Sequence, residues 1–186
     1  LTARNDWAST LAYTSHEKSG FFYPSAGLSF LIDKWIQLPE WISFAKLRGT
    51  YSKVGNDIPQ FITNSVSHIT AGGELQANDA APFKEMEPEM THSVEVGTEW
   101  RFFQSRLGFN LTYYRTNTHN QFFKLPALAG DMYAYRYVNA GDIQNRGWEL
   151  TVDATPVLTP DFTWKTSLNF SSNRNKIKEL HEELKE

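Results

Sequence analysis

The feature that most limits what this chain can fold into is alternation with a period of two residues. From 93 to 103, Val94, Val96, Trp100 and Phe102 alternate with Ser93, Glu95, Gly97, Glu99 and Arg101. The pattern returns at 107–114 (Leu107, Phe109, Leu111, Tyr113), at 148–154 (Trp148, Leu150, Val152, Ala154) and at 162–171 (Phe162, Trp164, Leu168, Phe170). Successive side chains of a strand point to opposite faces, so each segment reads as a β-strand with one apolar and one polar face. Thr98 and Thr166 are the only polar members of the apolar set. The opposite face carries Glu95, Glu99, Arg101, Glu149, Asp153 and Lys165, charges of both signs.

Two further strands are expected at about 21–32 and 43–54, and a partial one at 1–8. Residues 33–42, with Leu38-Pro39-Glu40-Trp41, read as a turn or short helix. This makes an all-β chain, an antiparallel meander of about seven strands. The connections differ in kind. Gln104-Ser105-Arg106 and Leu158-Thr159-Pro160-Asp161 are tight, whereas about 9–20, 55–92 and 115–147 are long and polar. Short turns on one side and long loops on the other is the pattern of an outer-membrane barrel, with the greasy face toward lipid and the charged face toward the lumen. Trp100, Phe102 and Phe162 fall near the short turns, and Trp148, Phe170 and Tyr113 near the long loops, as interfacial aromatics do. No apolar run reaches the length of a transmembrane helix. The rival from the same periodicity is a soluble β-sandwich, a carbohydrate-binding module with exposed aromatics.

Composition narrows function. In 186 residues, 18 Lys and Arg stand against 21 Asp and Glu, a net charge of −3, which argues against a nucleic-acid partner. There is no cysteine, hence no disulfide, thiolate nucleophile or Cys-based zinc site. His16, His68, His92, His119 and His181 are scattered without metal-ligand spacing, and Gly72-Gly73 reads as turn chemistry rather than a phosphate loop. Glu95 and Glu99 share a strand face about 13 Å apart, too far for a shared acid–base site. No enzymatic role, cofactor or metal is expected; Asp131 and Asp142 read as ordinary loop acids rather than calcium ligands.

The stretch between Tyr114 and Trp148 reads as a long hairpin with its tip near Pro126 to Asp131. Its aromatics Phe122, Phe123, Tyr133, Tyr135 and Tyr137 are the candidates for substrate contact. The three tyrosines are expected on one face of an extended strand, where phenol rings can stack on sugars. The competing reading has them brace the hairpin. Gly141 and Gly147 are candidate bulges. Lys176 to Glu186 is charged, with Ile177, Leu180 and Leu184 at helical spacing, and reads as a short helix or a frayed end.

Several segments carry a family resemblance: Arg4-Asn5-Asp6-Trp7; Phe22-Tyr23-Pro24-Ser25 before Leu28-Ser29-Phe30; Lys46-Leu47-Arg48-Gly49-Thr50-Tyr51 with Val54-Gly55-Asn56-Asp57; and Glu95-Val96-Gly97-Thr98-Glu99-Trp100. The most specific is Asn139-Ala140-Gly141-Asp142-Ile143-Gln144-Asn145-Arg146-Gly147-Trp148-Glu149-Leu150, followed by Asn173-Arg174-Asn175-Lys176. In this order the chain resembles part of the barrel of SusC/RagA-type TonB-linked outer-membrane proteins. Trp148 stands where a smaller apolar residue is common. The resemblance implies that residues 1–186 are a partial TonB-dependent receptor β-barrel, an open segment of a large transmembrane barrel without plug domain or closing strands. It implies a bacterial outer-membrane location and import of large nutrients, glycan oligosaccharides or peptides. The implied partners are outer-membrane lipid, the TonB system and a SusD-like surface lipoprotein.

Overall fold

The structure, a computed structural model, describes residues 1–12, 14–16, 20–56, 62–63, 67–76, 79–139 and 141–179. Seven strands form one antiparallel sheet: β1 (Thr2–Asp6), β2 (Phe21–Leu31), β3 (Ile42–Asn56), β6 (Glu89–Phe102), β7 (Leu107–His119), β10 (Asp142–Leu158) and β11 (Thr163–Glu179). Each pairs with its neighbours in that order, and β1 and β11 pair with one strand each, so the sheet is open. Two small hairpins lie in the long loops, β4 (His68–Ile69) with β5 (Leu75–Gln76), and β8 (Phe122–Pro126) with β9 (Tyr135–Asn139).

The register carries the two-faced pattern across the sheet. Ala45, Trp100, Phe109, Val152 and Leu168 form one cross-strand row, and Leu47, Thr98, Leu111, Leu150 and Phe170 the next. No second sheet packs on these rows among the described residues. Leu168 is 70% and Phe170 62% exposed. The sandwich reading is thereby corrected: a sandwich buries its apolar faces against each other, and this face has no partner sheet. The buried apolar residues Leu11, Phe21, Ile62 and Met86 instead cluster beneath the long loops, with Phe83, Phe122 and Tyr137 packed against them.

Strands run further than periodicity suggests. β7 continues through Thr116, Asn117 and Thr118, and β11 through Asn173, Arg174 and Asn175, polar stretches with no apolar alternation to announce them. They stay extended because β10 runs alongside and completes their ladders. Lys176–Glu179 accordingly belong to β11, not to a helix, and 180–186 lie outside the described residues. The longer β11 also moves Phe170 to mid-height, beside Leu150, rather than to the loop end. Gly147 is no bulge; it pairs in register with Tyr114 and Asn173. The irregularities lie instead between Asp142 and Ile143, next to Gly141 (φ 91°), and between Ala154 and Val157. At the second, Thr155 and Pro156 oppose Lys165 alone, as suits a proline without an N–H. The Arg106 guanidinium closes it, donating to the carbonyls of Thr155 (3.3 Å) and Pro156 (2.8 Å).

Candidate functional site

Two surfaces carry the chemistry: the charged face of the sheet and the loop layer at one end of it. On the charged face, Glu95 lies opposite Tyr114, Glu99 opposite Asn110, Glu149 opposite Thr112, and Arg101 and Asp153 both opposite Gly108. Lys165 joins them by alternation along β11. The sheet therefore sets all six charged side chains on one face. It does not gather them into a cluster. Arg101 Nη2 binds Glu99 Oε1 at 2.9 Å on its own strand, while Glu95 lies 3.5 Å from Arg48 Nε. Each glutamate thus has its own arginine, and the two carboxylates are not brought together.

Arg48 is the residue that sequence reasoning passed over. It sits opposite Gly97 and reaches across it to donate from Nη2 to the buried Thr112 hydroxyl at 2.6 Å, tying β3 to β7 over β6. A Cβ at Gly97 would meet Arg48 Nε at 2.7 Å, so the glycine is the slot that admits the guanidinium. The signal in the sequence is a glycine inside a strand, in phase with Glu95 and Glu99. Gly147 works the same way for Tyr114, whose hydroxyl oxygen lies 2.6 Å from where a Cβ would stand.

The long loops fold onto one another at the far end. The β8–β9 hairpin is held by Asn139, whose amide donates to Glu87 O (2.9 Å) and Asn120 O (2.7 Å) and accepts from Glu87 N (2.8 Å). Of the candidate aromatics, Phe122 and Tyr137 meet at 6.4 Å between ring centres and pack into the loop core. Tyr135 shares their face but has Lys124 Nζ over its ring at 3.8 Å. Tyr133 lies before β9, in the bend at the tip, and Phe123 points to the opposite face from Phe122. A row of three free phenols is therefore not formed, because the strand begins only at Tyr135. Sequence reasoning also missed a cleft of about 480 Å³ at the loop end of β1 and β2, lined by Arg4, Asp6, Trp7, Phe21, Tyr23 and Asn56 among others. Its residues come from four separate segments, so no local pattern announces it. Asp142 takes a hydrogen bond from Asn117 (3.2 Å) and stands 3.8 Å from His119 Nδ1, while Asp131 lies in the hairpin tip. Among the described residues no three potential metal ligands come together.

Thr98, a polar residue within the apolar rows, is hydrogen-bonded in place. The Thr98 hydroxyl donates to Lys46 O at 3.1 Å and accepts from the Trp100 indole at 2.7 Å. Rings gather at both ends of the face: Trp41 on Phe102 (5.6 Å) and Phe102 by Phe109 (5.9 Å) near the short turns, Tyr113 by Trp148 (4.6 Å) toward the loops. At about 3.3 Å per residue, Val94 to Phe102 is about 26 Å long, about 20 Å across a membrane crossed at a tilt of about 40°. An open, two-faced antiparallel sheet with aromatic ends and one-sided loops defines a segment of a transmembrane β-barrel wall.

Residues 1–179 match the family model described as TonB dependent receptor-like, beta-barrel. TonB-dependent receptor P26 of Formosa agariphila is 29% identical over 190 residues, covering 97% of this chain and 19% of that protein. TonB-dependent receptor SusC of Bacteroides thetaiotaomicron is 25% identical over 189 residues, 94% of this chain and 19% of its own length. The RagAB peptide importer in its closed-closed state superposes with a TM-score of 0.81 at 23% identity, over 96% of this chain and 20% of that one, a likeness of fold. The chain belongs to the TonB-dependent receptor β-barrel family. It spans about a fifth of the length of these relatives. The family is one of bacterial outer-membrane receptors and transporters rather than enzymes.

Proposed function

We propose that residues 1–186 are part of the barrel wall of an outer-membrane importer for large nutrients, glycan oligosaccharides or peptides, energised through the TonB system and acting with a SusD-like surface lipoprotein. The observation that carries this is the sheet's division into an apolar face with aromatic ends and a charged face beneath a folded loop layer, joined to the family membership. In this reading Glu95, Glu99, Arg101, Glu149, Asp153 and Lys165 face the lumen, and plug and closing strands come from other parts of the receptor. Their mixed charge, half engaged in pairs with arginines, suits a wet channel wall. Substrate contact falls to the loop end. Trp7 and Tyr23 offer rings beside the Arg4–Asp6 pair (2.7 Å), and Tyr133, Tyr135 and Phe123 add to the hairpin's surface, while Phe122 and Tyr137 support it from below.

The test is uptake of labelled oligosaccharide and peptide pools by cells carrying the full-length receptor. Uptake of one pool is expected, lost when the proton-motive force is collapsed and when the neighbouring lipoprotein is deleted. Uptake that survives loss of the proton-motive force overturns the TonB-linked reading. Competition between the two pools separates glycan from peptide.

A further inference from the structure

The apolar face ends toward the loops in a row that does not fit it. Register places Tyr51, Val94, Arg115, Arg146 and Arg174 side by side, one residue from each of β3, β6, β7, β10 and β11. Directly below are Val96, Tyr113, Trp148 and Ser172; directly above are Lys53, His92, Asn117, Gln144 and Lys176. Three arginines thus stand abreast on the lipid side of the sheet, about 5 Å from strand to strand, with no acid in their own row or in the rows on either side. Like charges placed directly opposite across strands repel. On the other face the sheet answers its arginines with glutamates, Arg48 with Glu95 and Arg101 with Glu99. Here it answers only one of the three. Arg115 is held by Asn117 Oδ1 at 3.0 Å and, with the Gln144 amide turned to face it, by that oxygen at 2.7 and 2.8 Å. Arg146 and Arg174 make no hydrogen bond or ion pair among the described residues, and both are exposed. Between them lies a cleft of about 420 Å³, lined by these two arginines, Tyr113, Gly147, Trp148 and Ser172.

We propose that this cleft binds the phosphate-bearing head group of an outer-leaflet lipid. The inference rests on the reading of this face as the lipid-facing one. Charge complementarity selects the occupant. Two forked guanidiniums a strand apart match phosphate oxygens, which accept two parallel N–H bonds from one arginine. The position selects its source. The cations lie one row beyond the Tyr113–Trp148 pair, the level at which a head group begins, and the rings and Leu150 below meet the acyl part. A freely diffusing anion would have no use for the apolar floor.

The experiment uses the full-length receptor in detergent, with bound lipid counted by native mass spectrometry after addition of diphosphoryl lipid A or of the same lipid with its phosphates removed. The wild type is expected to retain the phosphorylated lipid and not the dephosphorylated one, with retention falling as salt rises. R146Q/R174Q should weaken retention about tenfold or more, the loss of charge-assisted bonds to phosphate, and R146K/R174K should restore part of it. Equal retention by wild type and R146Q/R174Q, equal retention of both lipids, or full displacement by millimolar inorganic phosphate each overturns the proposal. In parallel, a fluorophore on L168C in lipid vesicles is exposed to a quencher confined to the acyl phase. Quenching there with no effect of R146Q/R174Q sinks the phosphate site alone; no quenching sinks the lipid-facing reading beneath it. Salt dependence on the unmutated protein keeps the test decisive should the glutamine variant fail to assemble.

Discussion

Gly97 and Gly147 do the same job on the charged face with different tolerance. At Gly97 a methyl group would meet the end of the flexible Arg48 side chain, which can swing aside. The cost is the Arg48–Thr112 bond, about 1 kcal/mol, since the ion pair to Glu95 is half exposed and adds little. At Gly147 the methyl would collide with the Ser172 carbonyl as well as with Tyr114. Ser172 belongs to the neighbouring strand's backbone and cannot move without opening the β10–β11 ladder, so about 2–3 kcal/mol is expected. Denaturant titration of the full-length barrel in lipid should therefore rank Gly147→Ala below Gly97→Ala, with Gly97→Ala about 1 kcal/mol below wild type. The reverse order would mean that the two glycines are not slots for Tyr114 and Arg48.

Neighbouring residues in one strand should respond oppositely to the same charge. Leu111 sits mid-height on the apolar face and Asn110 on the charged face opposite Glu99. Leu111→Arg is expected to cost about 2–4 kcal/mol of barrel stability in lipid, and Asn110→Arg close to nothing, because only the first puts a cation at the membrane midplane. Similar losses at both positions would remove the assignment of faces. The hairpin between β7 and β10 makes a comparable pair. Tyr137→Ala should loosen the loop core and admit proteases to the long loops, while Tyr133→Ala, at the tip, should leave the cleavage pattern unchanged. Equal cleavage of the two variants would show that Tyr137 does not brace the loop layer. These contrasts also mark what could be read from the sequence. The seven strands and their phase were legible because Val94 to Phe102 and Leu107 to Tyr113 alternate strictly. Strand ends were not, because Thr116 to Thr118 and Asn173 to Lys176 are polar on both faces and are held extended by β10. The bulge at Thr155-Pro156 was missed, because Gly141 and Gly147 are the more obvious candidates in the sequence. The loop core escaped entirely, since Leu11, Ile62 and Met86 are far apart in the chain and belong to no periodic segment. The arginine row is the instructive miss. Arg115, Arg146 and Arg174 each look like an unremarkable polar residue until the register sets them side by side.

Among the described residues the sheet has two open strand edges, β1 and β11, and an apolar face on which no other element packs. Either feature alone drives association: unpaired edges recruit further strands, and a continuous exposed apolar face marks a surface that another molecule or lipid covers. The small core beneath the loops cannot compensate, since among the described residues it gathers four buried side chains at one end of the sheet. The charged face does not help either, for it solvates one side and leaves the other untouched. The 186-residue chain on its own is therefore expected to sediment as aggregate in detergent-free buffer, with strand content persisting in circular dichroism. The full-length receptor should instead be monodisperse once detergent or lipid covers the outward rows. Analytical ultracentrifugation of the isolated chain decides this. A monomer with a sharp, reversible thermal transition in plain buffer would mean that the sheet closes or folds back on itself, and would end the reading of it as a barrel wall.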